Sequence, residues 1–317
     1  MNDPKRFLEE AVPKVRSQVP EPKRAIVAAS GGIDSTVAAV VVARAIGDRA
    51  TALFVDNGLL RKGEIERTEE VLSGAGVKHR VVPAAPRFFS ALKGVADPER
   101  KRKIVGETFV RVFEEEAKAL QADYLVQGTI APDWIESGGS LRDTIKTHHN
   151  VGGLPADMHL KVVEPLRDLY KDEVRALARH LNVPQPERQP FPGPGLAVRV
   201  VGEVTPERTE TTRVACAVVE EEVERAVSEG KIPRPWQYFA SLLPVRTVGV
   251  IGDARTYGDA VSVRIVESID AMTATSLAVP TEVLRRISER ITRELSGKVT
   301  RVLYDVTDKP PATIEWE

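Results

Sequence analysis

Cysteine is almost absent from this chain: Cys216 is the one thiol in 317 residues. A single cysteine cannot form an intrachain disulfide, which favours a reducing compartment. It lies in the apolar run 214–218, where a thiol usually serves as a small core residue rather than as a nucleophile. No apolar run is long enough to cross a membrane, and the first residues lack the apolar segment of a signal peptide. We therefore expect a cytoplasmic protein with no membrane partner.

The chain also lacks an excess of charge of one sign. Its 45 basic and 46 acidic residues give a net charge of −1, and aromatic residues make up 5% of the composition. A strongly basic face is the electrostatic signature of a nucleic-acid-binding protein, so we expect no nucleic-acid partner. The length is sufficient for a large buried core and for two domains.

What the chain does have is a glycine turn between a strand-like run (residues 26–29) and a helix-like run (37–46). The turn reads Ser30-Gly31-Gly32-Ile33-Asp34-Ser35-Thr36. Adjacent glycines let the backbone approach an anion closely, and a helix N-terminus offers unpaired N–H groups and a positive dipole end. The pattern predicts a phosphate-binding loop. A strand-to-helix turn capped by Ser or Asp, without any ligand, is the alternative.

This turn is not the common ATPase loop, which needs a lysine followed by Ser or Thr after its last glycine. The turn holds a carboxylate, Asp34, and a carboxylate beside a polyphosphate is best explained by Mg²⁺ between them. The seven residues resemble the pyrophosphate loop of the ATP pyrophosphatases, which cleave ATP between its α and β phosphates. The resemblance implies ATP as substrate and Mg²⁺ as its metal.

The first half of the chain alternates strand-like and helix-like runs. Further strands are predicted at residues 50–55, 79–82, 124–128 and 162–163, and helices at 4–19, 61–72, 97–120 and 171–181. This alternation predicts an α/β fold with a parallel, doubly wound sheet. Ligands bind at the carboxyl ends of such strands, which would gather Ser30, Asp56 and Gln127 at one edge. Between Gly128 and Val162 neither pattern holds, and a loop of this length is usually a functional lid or disordered.

A stretch with five prolines and two glycines, residues 184–195, marks a boundary. Beyond it we predict strands at 196–201, 247–251, 261–266 and 299–306, and helices at 205–228 and 281–295. This order predicts a smaller α+β domain. The predicted organisation is therefore a first domain at 1–190, with its lid at about 137–160, and a second at 191–317.

Several separate strings together resemble the ATP-pyrophosphatase part of GMP synthase, over essentially the whole chain. They are residues 30–36, 127–137, 146–150, 164–167, 190–196, 252–257 and 309–317. The resemblance implies an ATP-pyrophosphatase domain followed by a dimerisation and XMP-binding domain in a homodimer. It implies a ligase that adenylylates XMP, releases pyrophosphate, and lets ammonia displace AMP to give GMP. The chain has no glutaminase half of its own, so a separate glutaminase subunit is expected to supply ammonia.

The resemblance also assigns roles to residues on the nucleotide side. The nucleotide-binding set is Ser30, Gly31, Gly32, Ile33, Asp34, Ser35, Thr36, Val55, Gly128 and Lys161. The catalytic set is Asp133, Glu136, Lys146, His148 and His149, with Asp34, Asp133 and Glu136 as ligands of Mg²⁺. From the residues alone, the acidic pair also fits a solvated turn, the two histidines fit a surface loop or metal ligands, and Lys161 fits a solvated strand start.

For XMP the resemblance nominates residues in both predicted domains. They are Arg167, Gly193, Pro194, Gln237, Arg255, Lys309, Ile314 and Glu315. Arg167 and Lys309 suit the phosphate or ribose of XMP, and Arg255 is expected to reach the substrate phosphate across a dimer interface. Arg255 fits a plain turn residue equally well, and residues 309–317 would ordinarily be a frayed terminus.

Two other functions keep part of this pattern. Another adenylylating ATP pyrophosphatase, such as an NAD synthase or a tRNA-thiolating enzyme, would share the loop and differ in its acceptor. Thiolation generally needs paired cysteines and a basic surface, and the sequence has neither. A nucleotide-binding module without chemistry would not require the acidic pair or the Lys-His-His group.

Overall fold

The computed structural model describes residues 3–131, 160–184, 189–269 and 271–317. These residues form two compact units. The N-terminal unit comprises Met1–Asn57, Gly63–Phe88 and Val105–Glu187. The C-terminal unit comprises Gly58–Lys62, Phe89–Ile104 and Arg188–Glu317.

The N-terminal unit is built on the predicted parallel sheet. Its five described strands, in the order β3-β2-β1-β4-β5, all run parallel. Their bounds are β1 Ala25–Ala29, β2 Ala50–Asp56, β3 His79–Pro83, β4 Tyr124–Val126 and β5 Lys161–Val163. The central strand β1 is apolar throughout and almost wholly buried, as expected for a strand covered on both faces. The α/β prediction is confirmed.

Six described helices occur along the chain before, between and after these strands: α1 Pro4–Gln18, α2 Ile33–Ile46, α3 Glu64–Gly74, α4 Ala85–Leu92, α5 Pro98–Leu120 and α6 Lys171–His180. The end of α4 and the start of α5 fall within Phe89–Ile104, which belongs to the C-terminal unit. Asp97 accepts a hydrogen bond from the Arg100 N–H at 2.8 Å, which caps α5 ahead of Pro98. None of the helices in the described ranges is long and apolar enough to cross a membrane.

The carboxyl ends of β1, β2 and β4 define one edge of the sheet. In register, Ala29 at the end of β1 lies beside Phe54 of β2, and Val27 lies beside Val126 at the end of β4. The glycine turn follows Ala29 directly. This register positions the turn, and the segment after β4, at the edge where parallel sheets bind ligands.

From residue 189 onward, the described part of the C-terminal unit combines two helices with a mixed sheet. The strands are β6 Gln237–Ile251, β7 Ala254–Glu267, β8 Thr275–Ser276 and β9 Val299–Tyr304, and the helices are α7 Pro206–Ser228 and α8 Thr281–Glu294. Strand β7 pairs antiparallel with β6 and β8 and parallel with β9. Thr205 caps α7 by accepting from the Arg208 N–H at 3.2 Å. The predicted α+β class is confirmed for this unit.

Two details differ from the sequence-based prediction. The strand predicted at 196–201 is wrong: Gly195–Val198 forms a 3₁₀ turn, and Val200 makes only an isolated bridge to Leu242. Gly195 has a positive φ of 63° and the Leu196 N–H donates to the Leu59 carbonyl, so the chain turns although its side chains are buried. The strands predicted at 247–251 and 261–266 are parts of the longer hairpin β6–β7.

Candidate functional site

The glycine turn connects the end of β1 to the start of α2, and no side chain of the described residues caps this helix. Gly31 takes a positive φ of 77°, and Gly32 is the N-cap residue, with no side-chain hydrogen bond to the helix end from the described residues. The alternative of a turn capped by Ser or Asp is therefore not what the structure shows. A helix whose first N–H groups receive no side-chain cap has donors available for an anion.

The hydroxyl groups of the turn shape it from within. Ser35 Oγ donates to the Gly32 carbonyl at 3.0 Å and accepts from the Ser30 N–H at 3.1 Å. Thr36 Oγ1 donates to the same carbonyl at 3.0 Å, and Ser30 Oγ accepts from the Gly32 N–H at 3.3 Å. Ser35 and Thr36 are buried. Because these bonds engage the hydroxyls and the N–H groups of Ser30 and Gly32, the other backbone N–H groups of the turn are the main phosphate donors that it offers.

Asp34 lies in the first turn of α2, where the helix dipole favours a carboxylate. Its Oδ2 pairs with Lys171 Nζ at 2.5 Å, whereas its Oδ1 is buried and has no hydrogen-bond partner within the described ranges. Lys171 was not predicted as a site residue. It is the first residue of α6, and a lysine at a helix N-terminus opposes the helix dipole.

Two glycines allow the turn to pack closely. A Cβ on Gly31 would lie 3.0 Å from Glu64 Oε1 and 3.1 Å from Thr68 Oγ1. A Cβ on Gly128, in the segment after β4, would lie 2.8 Å from the Ser35 backbone nitrogen. The structure thus brings Gly128 against the backbone of the turn.

The other predicted nucleotide-binding residues are not all at this edge. Ile33 is the first residue of α2, and Val55 is buried near the carboxyl end of β2. Lys161 lies at the amino end of β5: it is in register with Tyr124, which is in register with Ala25, the first residue of β1. Its Nζ lies 6.0 Å from the centre of the Tyr124 ring. The structure does not bring Lys161 to the glycine turn.

The predicted catalytic residues Asp133, Glu136, Lys146, His148 and His149 lie outside the described residues. Among those that are described, no group of three or more His, Cys, Asp or Glu could hold a metal ion. Mg²⁺ often uses only one or two protein carboxylates beside phosphate and water. The free Oδ1 of Asp34, judged within the described part of the chain, fits that requirement.

The predicted XMP residues are divided between the two units. Arg167, in the N-terminal unit, lies with its Nη1 3.3 Å from Glu164 Oε2. In the C-terminal unit, Gly193 is exposed and Pro194 is half-buried. Lys309 Nζ donates to the Ala271 carbonyl at 2.8 Å, and Arg255 is exposed beside the turn of the β6–β7 hairpin.

Glu315 and Gln237 meet in a network inside the C-terminal unit. Arg199 donates from Nε to Glu315 Oε2 at 3.0 Å and from Nη2 to Oε1 at 2.8 Å, and Gln237 Nε2 donates to Oε1 at 2.8 Å. Arg199 is fully buried. Burial alone lowers the pKa of its guanidinium, but the paired Glu315 carboxylate outweighs this effect and raises the pKa. Arg199 therefore stays charged, and sequence reasoning missed it.

The segment 309–317 is folded onto the C-terminal unit rather than frayed. Arg264, also fully buried, donates from Nε to the Ile314 carbonyl at 2.8 Å and from Nη2 to the Thr313 carbonyl at 2.9 Å. Ile314 is buried. Lys101 Nζ, also buried, donates to a Glu317 carboxylate oxygen. These contacts fix Glu315 between two anchored neighbours.

Comparison with known proteins identifies relatives along the whole chain. The family model described as Queuosine biosynthesis protein QueC matches residues 24–189, and the one described as GMP synthase C terminal domain matches residues 221–316. Among solved structures, an NMN synthetase from Francisella tularensis is similar over 62% of this chain and 79% of its own, with TM-score 0.47 and 16% identity.

The curated relatives include three proteins that are named as the same subunit of a glutamine-hydrolyzing GMP synthase. The one from Methanopyrus kandleri is 59% identical over 100% of both chains. The one from Pyrococcus horikoshii is 59% identical over 98% of this chain and 99% of its own, and the one from Methanocaldococcus jannaschii is 55% identical over 100% of both. The chain belongs to this family of glutamine-hydrolyzing GMP synthase subunits, with residues 24–189 in the QueC family and residues 221–316 forming a GMP synthase C-terminal domain.

Proposed function

We propose that this protein is the ATP-pyrophosphatase subunit of a GMP synthase, which aminates XMP to GMP at the expense of ATP. The observation that carries the proposal is the 59% identity with a glutamine-hydrolyzing GMP synthase subunit over the full length of both chains. The xanthine O2 attacks the α-phosphorus of ATP, and pyrophosphate leaves. Ammonia then adds at C2 of the adenylyl-XMP intermediate, and AMP leaves to give GMP.

The glycine turn is the proposed binding site for the leaving pyrophosphate. Its support is the N-terminus of α2, which lacks a side-chain cap from the described residues, together with the close approach that Gly31 and Gly128 permit. A turn that holds the β and γ phosphates orients the α-phosphorus away from itself, towards the acceptor. Lys171 adds a positive charge that can turn from Asp34 to a phosphate oxygen.

Mg²⁺ would be held by Asp34 together with Asp133 and Glu136, and when bound it would neutralise charge on the phosphates. Lys146, His148 and His149 belong to a lid that covers the nucleotide and excludes water from a hydrolysable intermediate. We expect His149→Ala to bind ATP normally but to lose pyrophosphate release. Normal release by this variant would remove the lid from the mechanism.

XMP is proposed to bind the residues nominated on the C-terminal unit, with Glu315 and Gln237 on its base and Lys309 on its phosphate or ribose. The support is that Glu315 and Gln237 are hydrogen-bonded to each other and held by buried side chains. Gly193 and Pro194 complete the proposed set with close backbone approach.

A homodimer is proposed through the β6–β7 hairpin. Val248 lies opposite Tyr257 and Val250 opposite Arg255, so the four side chains share one face. Val248, Val250 and Tyr257 are 49%, 73% and 59% exposed, an unusual apolar surface for a strand face. Arg255 on this face would reach the partner's substrate. Sedimentation of wild type and Val250→Glu tests the proposal: a wild-type monomer, or a variant that remains dimeric, contradicts it.

The remaining proposed properties follow from the family. A separate glutaminase subunit delivers ammonia, and the chain alone uses ammonium salts. We also propose a cytoplasmic location, supported by the single buried thiol.

The direct test combines the purified protein with ATP, Mg²⁺, XMP and ammonium. Equal amounts of GMP, AMP and pyrophosphate are expected, and pyrophosphate exchange into ATP should depend on XMP. ADP with orthophosphate would refute the proposal.

The match of residues 24–189 to QueC makes another adenylylating enzyme the second candidate. Cleavage of ATP to AMP without any requirement for XMP would favour it, and ATP binding without turnover would indicate a binding module.

A further inference from the structure

Arg199 connects two segments that the sequence associates with the substrate. One is the proline- and glycine-rich segment 190–196, and the other is the segment 309–317. The guanidinium carbon of Arg199 lies 5.1 Å from the centre of the Phe191 ring in the first segment. Its nitrogens bind both carboxylate oxygens of Glu315 in the second. A residue that holds both segments determines their relative position.

The surroundings of Arg199 leave it little freedom. It is fully buried, and its guanidinium also stacks over the Phe239 ring at 4.2 Å. Nη1 lies 3.9 Å from Cys216 Sγ. A planar guanidinium held by two aromatic rings and a bidentate carboxylate is fixed in both position and orientation. The carboxylate of Glu315 is then fixed as well.

One carboxylate oxygen of Glu315, Oε2, accepts fewer hydrogen bonds from the described residues than it can. A carboxylate offers about four acceptor positions, two on each oxygen. Oε1 accepts from Arg199 and Gln237, whereas Oε2 accepts only the Arg199 Nε–H among the described donors. One acceptor position therefore remains on Oε2. A single donor, such as the ring N–H of a purine base, would fill this position.

We propose that Arg199 is a positioning residue that acts through Glu315: it orients Oε2 to accept one ring N–H of the purine substrate. This inference rests on the proposed function, because it takes the substrate to be XMP. Arg199 does not itself contact the substrate. Its two bonds to Glu315 leave one direction open for the base.

The test measures steady-state kinetics for Arg199→Met, Glu315→Gln and the double variant. Arg199→Met should raise KM for XMP about ten- to hundredfold, the usual effect of losing charge-assisted hydrogen bonds. KM for ATP should remain within about twofold of wild type, because the proposed ATP residues lie outside this network. If Arg199 acts through Glu315, the double variant should have the same KM for XMP as Glu315→Gln alone.

General destabilisation is controlled with Ile287→Ala, which removes a buried side chain of α8 in the same unit that takes no part in the hydrogen bonds of the network. It should lower thermal stability without changing KM for XMP. Hydrogen exchange of residues 309–317 gives a second readout: Arg199→Met should accelerate it, whereas Ile287→Ala should not. If Arg199→Met fails to fold, the double variant, which has no unpaired buried carboxylate, still answers the question.

Three results would overturn the inference. An unchanged KM for XMP in Arg199→Met would show that Glu315 needs no positioning. Additive effects in the double variant would show that Arg199 acts independently of Glu315. If Arg199→Met cannot be purified, a double variant with a higher KM for XMP than Glu315→Gln would also show that Arg199 acts independently of Glu315. Failure of wild type to form GMP from XMP would refute the proposed function instead.

Discussion

Gly128→Ala tests whether the glycine turn binds the phosphates of ATP. The added Cβ would lie 2.8 Å from the Ser35 nitrogen and 2.9 Å from the Asp34 carbonyl carbon. All of these neighbours are backbone, so no flexible side chain can give way. Ordinary van der Waals contact begins at 3.4 Å, so the segment at Gly128 and the start of α2 must separate by about 0.6 Å. Overpacking of this kind costs about 1–3 kcal/mol.

The same displacement acts on the first turn of α2, where the proposed phosphate donors lie. A misplacement of about 1 Å can reduce catalysis by two orders of magnitude, so we expect KM for ATP to rise at least about tenfold. The melting temperature should fall by about 2–10 °C. Differential scanning calorimetry and ATP titration measure the two effects.

Gly74→Ala is the matched control for Gly128→Ala. Gly74 is the last residue of α3, and a Cβ there has no heavy atom of the described residues within 4 Å. The control should keep wild-type affinity for ATP and at least wild-type stability, since alanine is the better helix former. If Gly128→Ala binds ATP as wild type does, the turn is not the phosphate site.

Three further predictions concern single groups. Lys171→Met should raise KM for ATP several-fold. It should change stability by less than about 1 kcal/mol, because the ion pair of Lys171 with Asp34 is partly exposed. Arg175→Met on the same helix is the control and should leave KM for ATP unchanged. Gly31→Ala should destabilise the protein by about 1–2 kcal/mol, because φ is positive there, and an unchanged urea midpoint would contradict this. Burial raises the pKa of Cys216, so its contribution to stability is complete below the unfolded value of 9.0 and is lost as pH rises through the folded value. The stability advantage of wild type over Cys216→Ala should therefore shrink in melting curves at alkaline pH, and Ellman's reagent should label only unfolded protein.

The N-terminal sheet was predictable because its signals are local. Strand β1 is a short, wholly apolar run followed by glycine, and α5 begins with a recognisable cap and proline. Helix α4 was missed, since its eight residues Ala85–Leu92 span barely two turns. The first half of β6 was also missed. Its residues are buried without the alternation that identifies a strand, and Pro244 follows them, which argues against a strand.

The glycine turn was predictable for the same reason: its groups are contiguous in sequence. The partners that complete each site were not. Lys171 pairs with Asp34 across 137 residues, and Arg199 pairs with Glu315 across 116. Neither cation lies in a motif, and each would ordinarily be interpreted as a solvated charge. Such pairs depend on tertiary packing, which periodicity and caps do not report.

Charged side chains differ in how fully their hydrogen bonds are satisfied in this structure. Arg264 is engaged by the carbonyls of Thr307, Thr313 and Ile314, so all three of its nitrogens have main-chain partners. Asp34 and Glu315 instead each keep acceptor capacity on one oxygen, as far as the described donors go. An unpaired buried polar group alone marks no site, as the Thr209 hydroxyl inside α7 shows within the same described ranges. The same holds for carboxylates, since Glu116 and Glu222 also have a buried oxygen without a hydrogen-bond partner in the described ranges. Asp34 and Glu315 differ because they lie among the residues proposed to bind the nucleotides, where a carboxylate oxygen suits a cation or an N–H group. In the proposed function, these two carboxylates are the positions at which Mg²⁺-bound ATP and the purine base would complete the protein's own hydrogen bonds.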